Sequence, residues 1–103
     1  MAETTPPKPA FAPTRSLPLP GGAKLVFCSG VTARGSAAET EGVEAQAEEC
    51  FARLTRALAQ EGGSFADVLK LNTYLADMRD YGGFDAVRRR ILASLAVPPA
   101  STC

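Results

Sequence analysis

The sequence predicts one small layered domain of the α+β or α/β type, because strand-like and helix-like segments alternate along the chain. Residues 25–28 and 68–75 have the composition of strands, and residues 42–61 and 84–95 have the spacing of amphipathic helices. The chain has 103 residues, 46% of them hydrophobic and 21% charged, which is the usual size and composition of a single globular domain. A strand–helix–strand–helix order is typical of helices packed against a sheet.

The first part of the chain is rich in proline. Six of the eight prolines lie within residues 1–20, so this part forms neither a helix nor a central strand, and we expect residues 1–10 to be a flexible tail. Further on, Leu17 and Leu19 alternate with prolines and precede the turn residues Pro20 to Gly22. The apolar run of residues 25–28 follows directly. This pattern predicts an edge strand that turns into a central strand.

A loop and a long helix come next. Residues 31–40 are small and polar without a period, which indicates a loop, with a short strand over residues 31–33 as the alternative. From residue 42 to residue 61 the apolar side chains recur at helical spacing, and Gly62 follows as a stop. The residues of this apolar stripe are Val43, Ala47, Cys50, Phe51, Leu54, Ala57 and Leu58.

The second half repeats the strand and helix pattern. Ser64 to Asp67 has the sequence of a capping box and leads into a half-buried strand over residues 68–75. We expect one face of this strand to carry Leu69, Leu71, Thr73 and Leu75. The stripe of the second helix consists of Phe84, Val87, Ile91, Leu92 and Leu95. Pro98 ends this helix where another strand should begin, so we expect the domain of residues 11–103 to lack its final strands.

Composition excludes several classes of function. Eleven basic and eleven acidic residues balance, so nucleic acid is not an expected partner, and the triplet Arg88-Arg89-Arg90 reads as a solvated helix face. Histidine is absent, which removes Ser-His-Asp and Cys-His nucleophilic schemes and the commonest metal ligand. Three scattered cysteines match no metal or disulfide pattern. Neither a membrane span nor a secretory signal is recognisable, so we expect a cytoplasmic protein.

Three separated motifs resemble those of the RidA/YjgF (reactive intermediate deaminase A) family in their order and spacing. They are Leu25 to Gly30, Asp67 to Tyr81 and Pro98 to Thr102, and the resemblance extends over residues 11–103. It implies an α+β, chorismate-mutase-like fold in which a mixed sheet carries two helices on one face. It also implies a homotrimer with ligand clefts between subunits, and no metal or cofactor. The best-known members hydrolyse enamine or imine intermediates to a 2-keto acid and ammonia.

The resemblance also assigns substrate-binding positions, while no catalytic residue is assigned. The family's arginine, which holds the substrate carboxylate, falls at Ser101, and a neutral hydroxyl should bind a carboxylate more weakly than a guanidinium does. Thr14 stands where many members have tyrosine, and Asp85 stands where many have asparagine. Ser29, Gly30 and Cys103 match the pattern. The implied substrate-binding set is Thr14, Ser29, Gly30, Asp85, Ser101 and Cys103.

Each of these positions also has a structural interpretation. Ser29-Gly30 reads equally as a tight turn, and Cys103 as an inert small side chain. Asp85 either activates water or selects an amine in a cleft, or it is a favourable charge on a first helical turn. Three hypotheses about function remain: a hydrolase of enamines or imines, a non-catalytic binder of small molecules, and a defective truncated family member.

Overall fold

The computed structural model describes residues 10–103. The tail predicted for residues 1–10 therefore lies, except for Ala10, outside the described residues. Within the described part the elements alternate as the sequence predicts, with two strands, a long helix, a strand, a second helix and a final strand. No helix in this part of the chain has both the length and the hydropathy that crossing a membrane requires.

The first two strands form an antiparallel hairpin. Strand β1 (Thr14–Pro18) pairs with strand β2 (Lys24–Cys28), with Leu17 opposite Leu25. Gly21 and Gly22 connect them with φ values of 83° and 82°, the left-handed region that glycine adopts without steric cost. Strand β2 was predicted to be central, but within residues 10–103 it bonds to β1 alone, because the chain leaves the ladder at Ser29 and the other two strands pair with each other.

Helix α1 (Val43–Gln60) confirms the longest predicted element within one residue at each end. It buries Ala47, Phe51 and Leu58, and the chain leaves it through Gly62 at a φ of 77°. Residues 31–33 form a loop, so the alternative of a short strand there is wrong. The chain instead makes a short 3-10 turn over Ala37–Thr40 before α1 begins.

Strand β3 (Lys70–Asn72) is shorter than predicted. The capping box before it is confirmed: the Ser64 amide donates to the Asp67 carboxylate at 2.9 Å. Leu71 and Leu75 pack against the core and Thr73 is half-buried, as the alternation predicts. The side chain of Leu69, however, is 80% exposed. The short helix Phe65–Asp67 ends just before it, so regular alternation starts only after Leu69.

Helix α2 (Tyr81–Leu92) packs against α1. Phe84 and Val87 are buried in the core that includes Phe51, whose ring centroid lies 6.4 Å from that of Phe84. Gly83 allows this close approach, because a Cβ atom there would lie 2.8 Å from Cγ1 of Val43. The apolar stripe predicted for this helix is thereby confirmed.

Strand β4 (Ala100–Thr102) pairs in parallel with β3, with Ser101 opposite Leu71. The strand that the sequence placed beyond its last residue therefore already begins at Ala100. The chain thus has an α+β fold with mixed strand directions, whose hydrogen bonds form two separate strand pairs. Its smallest dimension of 19 Å is close to the thickness of one helix layer on one strand layer.

Candidate functional site

Two of the predicted site residues meet at one arginine of helix α2. Arg88 donates from Nη1 to the Ser101 hydroxyl at 2.8 Å, and from Nη2 to the Tyr81 hydroxyl at 3.1 Å and to the Asp85 carboxylate. We call Tyr81, Asp85, Arg88, Arg89 and Ser101 the α2–β4 cluster. Arg88 is thus the residue through which Asp85 and Ser101 are connected.

The spacing along α2 explains why these groups come together. Tyr81, Asp85 and Arg88 follow i, i+4, i+7 spacing, so they lie on one face of the helix. Ser101 lies opposite Leu71 in the parallel register, and paired residues project to the same side of a strand pair. Since Leu71 packs against the helical core, Ser101 faces α2 and not the opposite side.

The cluster carries more positive than negative charge. The Asp85 carboxylate accepts from Nε of Arg89 at 2.8 Å and from Arg88, so two guanidiniums share one carboxylate. The hydrogen bonds from Arg89 and then from Arg88 lower the pKa of Asp85, and Asp85 raises the pKa of Arg88. An aspartate with a lowered pKa is a weak base, which makes Asp85 better suited to holding arginines than to activating water.

Aromatic rings fix the guanidinium of Arg88 further. Its Cζ lies 5.2 Å from the ring centroid of Phe84 and 5.9 Å from that of Tyr81, within the range of cation–π attraction. The Arg88 side chain is only 16% exposed, whereas that of Arg89 is 77% exposed. The interpretation of the basic triplet as a solvated face is therefore wrong for Arg88. The signal that could have revealed it is the spacing of Arg88 from Asp85, Phe84 and Tyr81.

Thr14 lies in the hairpin, where its hydroxyl serves a different contact. Its Oγ1 donates to Oε1 of Glu61 at 2.8 Å, and Lys24 donates to Oε2 of the same carboxylate at 2.6 Å. These bonds, first that of Lys24 and then that of Thr14, lower the pKa of Glu61. Partial burial, followed by the charge of Glu61, raises the pKa of the nearby Cys28 thiol. Thr14 thus ties the hairpin to the end of α1.

Ser29 and Gly30 lie at the end of β2. The Ser29 amide donates to the Pro13 carbonyl at 2.9 Å, and its hydroxyl donates to the Ala12 carbonyl at 2.6 Å. This arrangement fits the interpretation of the pair as a structural turn. Both residues also line a surface groove, which we call the α1 groove, whose other wall includes Arg53 and Arg56 of α1.

Cys103 follows β4 and is exposed. Within residues 10–103 no group of three His, Cys, Asp or Glu side chains lies close enough together to hold a metal ion. The predicted set is therefore divided between two regions. Asp85 and Ser101 belong to the α2–β4 cluster, while Thr14, Ser29 and Gly30 belong to the hairpin.

Comparisons with known proteins agree on one group of relatives. The family model described as "Endoribonuclease L-PSP" matches residues 21–103. The curated protein "Protein mmf1, mitochondrial" of Schizosaccharomyces pombe is 30% identical over 80 residues, which are 77% of this chain and 48% of that protein. The chain therefore spans about half the length of this curated relative.

Solved structures share the fold. The crystal structure of yeast Mmf1 matches with a TM-score of 0.75 at 20% identity, over 95% of this chain and 74% of that one. RidA from an Antarctic Psychrobacter bacterium matches with a TM-score of 0.61 at 28% identity, over 89% of this chain and 66% of that one. Rv2704 of Mycobacterium tuberculosis, a member of the YjgF/YER057c/UK114 family, matches with a TM-score of 0.63 at 22% identity, over 90% and 64%.

Proposed function

Since the chain belongs to the YjgF/RidA family, whose matched model is described as endoribonuclease L-PSP, we propose that it binds small carboxylic acids carrying a keto, imine or enamine group. The observation that carries this proposal is the bond from the Arg88 guanidinium to the Ser101 hydroxyl. By resemblance, residue 101 is where the family has its carboxylate-binding arginine. Arg88 thus brings a cation beside the position that lacks one.

The direction of that bond supports carboxylate binding. Ser101 accepts from Arg88, so its own O–H proton remains available for a ligand. The adjacent guanidinium polarises this proton, and hydrogen bonds assisted by a charge are roughly twice as strong as neutral ones. Because two guanidiniums share one carboxylate, the α2–β4 cluster also attracts an anion. Ser101 is then the contact residue, and Arg88 is a positioning residue behind it.

The direct test is titration with 2-oxobutanoate, a small 2-keto acid, followed by calorimetry. Arg88→Gln removes a charge-assisted bond worth about 1.5–3 kcal/mol, so we expect affinity to fall by roughly tenfold to a hundredfold. Arg90→Gln is the matched control, since it removes the same charge from the same helix at a residue paired with Glu48.

The outcomes of this titration are distinct. Retained affinity in Arg90→Gln and reduced affinity in Arg88→Gln, with both variants melting cooperatively, would support the site. Absence of saturable binding by the unchanged chain would contradict the proposal. Equal losses in both variants would contradict the role of Arg88, because net charge alone would then explain binding.

Hydrolysis of the bound imine is the activity that the family's best-known members suggest. Asp85, the one carboxylate in the α2–β4 cluster, is held by two arginines and has a lowered pKa, so the cluster lacks an efficient base. We expect ammonia release from freshly generated 2-aminoacrylate at the rate of buffer alone. Faster release of ammonia and 2-keto acid would replace binding by hydrolysis as the function.

The proposal includes association into a homotrimer with ligand clefts between subunits. Leu17 and Leu25 lie opposite each other in the hairpin, and Phe27 follows on the same strand face; all three are exposed. Apolar side chains grouped on one strand face are typical of an interaction surface. A second copy of the chain is the partner that the family resemblance implies.

Cleavage of RNA, which the printed family name suggests, is not the function that we propose. The formal net charge is zero, and Arg53, Arg79, Arg88, Arg89 and Arg90 each lie within 4.0 Å of a carboxylate. Binding of a phosphate backbone depends on unpaired cations. The cytosol remains the compartment that we propose, although the curated relative from Schizosaccharomyces pombe is named mitochondrial.

A further inference from the structure

The α1 groove has features of a second ligand site, apart from the α2–β4 cluster. It has a volume of about 570 Å³, within the usual range for small-molecule sites. Arg53, Arg56, Ala57 and Gln60 form one wall at i, i+3, i+4, i+7 spacing, so they share one face of α1 over about 10 Å of helix. Phe11, Pro13 and residues 29–31 form the other wall.

The bonds at Ser29 build the second wall. Its amide and hydroxyl hold the carbonyls of Pro13 and Ala12, which fastens the incoming chain beside the end of β2. Phe11 is thereby placed at the groove, where its ring is largely exposed. A largely exposed phenyl ring beside Val31 and Ala57 provides an apolar surface inside a fixed depression.

Charge on the first wall selects the sign of the ligand. Arg53 donates from Nε to Glu49 at 2.9 Å and from Nη2 to the Arg34 carbonyl at 2.8 Å, so its guanidinium is held in place. Arg56 lies 3.7 Å from the same Glu49 carboxylate, and its side chain is 65% exposed. Two guanidiniums beside one carboxylate leave one positive charge next to an apolar surface.

We propose that the α1 groove binds an amphipathic monocarboxylate. Its anionic head pairs with Arg53 and Arg56, and its linear apolar tail lies on Phe11, Val31 and Ala57. A planar guanidinium suits a carboxylate because it donates two parallel hydrogen bonds. The proposal does not depend on the function proposed for the α2–β4 cluster, since the two sites share no residue.

The test uses the full chain and three probes in parallel titrations followed by NMR. Octanoate has both a head and a tail, acetate has the head alone, and 1-octanol has the tail alone. We expect saturable binding of octanoate, with acetate and 1-octanol each at least tenfold weaker. Chemical shift changes should centre on the residues of the groove. Absence of saturable octanoate binding, or equal affinity for octanoate and 1-octanol, would overturn the proposal.

Variants locate the binding. Arg56→Gln should weaken octanoate binding about tenfold while leaving the fold intact, because its single ion pair is long and exposed. Arg79→Gln is the matched control, since Arg79 is exposed and pairs with Asp77 outside the groove. Phe11→Ser should weaken octanoate as well, against Val97→Ser, which removes an exposed apolar side chain outside the groove. Equal effects of a variant and its control would contradict the assignment.

Discussion

The helical half of the molecule and the β1–β2 hairpin hold together by different means. Around α1 and α2 the side chains of Ala47, Phe51, Phe84, Val87 and Leu92 form a buried core. The hairpin instead joins the rest through polar contacts, with Glu61 binding both Thr14 and Lys24. Its apolar residues Leu17, Leu25 and Phe27 stay exposed. Stability should therefore come mainly from the helical half, and association from the hairpin.

The largest expected effect tests the core. Phe51 contacts Phe65 and Phe84 and is buried, so Phe51→Ala removes a large side chain and leaves a cavity. Such a change costs about 3–5 kcal/mol of the free energy of unfolding. Denaturant titration measures it. Leu69→Ala, at an exposed position, is the control and should change this free energy by less than about 0.5 kcal/mol. Comparable losses in the two variants would show that the core does not lie where we describe it.

The second effect tests the hairpin. Phe27 is 65% exposed, so Phe27→Ser should alter the stability of a single chain little. If copies associate through this face, losing one buried phenyl ring costs about 1.5–3 kcal/mol of association, or roughly tenfold to a hundredfold in the dissociation constant. Sedimentation over a concentration series measures it. An unchanged mass distribution would locate the interface elsewhere.

The smallest effect concerns acid and the polar attachment of the hairpin. Bonds from Lys24 and Thr14 lower the pKa of Glu61 below its unfolded value. The stability that these bonds contribute is therefore present above the unfolded pKa and is lost as the pH falls through the folded pKa. Melting temperature measured from pH 7 down to pH 3 should fall less steeply for Glu61→Gln than for the unchanged chain. Glu41→Gln, which removes the same charge before α1, should follow the unchanged chain.

The sequence predicted those elements that depend on local periodicity. Helix α1 and its glycine stop, the stripe on α2 and the capping box at Ser64 all follow from residues within a few positions of one another. Strand lengths were less predictable. Alternating side chains extend from Leu71 to Leu75, but ladder bonds end at Asn72, since the strand's extent depends on β4 some thirty residues later.

The candidate site was only half predictable for the same reason. Family position drew attention to Asp85 and Ser101 separately, and each was considered for its own chemistry. Arg88 connects them through a parallel strand pairing that no local pattern encodes. The basic triplet looked uniform in sequence, yet packing against Phe84 sets Arg88 apart from its neighbours.

The bond between Arg88 and Ser101 constrains the order in which mutations can be accepted. A change of Ser101 to arginine alone would bring a second guanidinium against the one that already lies there, with Asp85 as their shared counter-ion. Like charges at hydrogen-bond distance repel, most strongly where water is partly excluded. Such a change is compatible with the present packing only after Arg88 has been replaced, so the two positions form an epistatic pair. In this lineage serine at residue 101 and arginine at residue 88 are best treated as one inherited character.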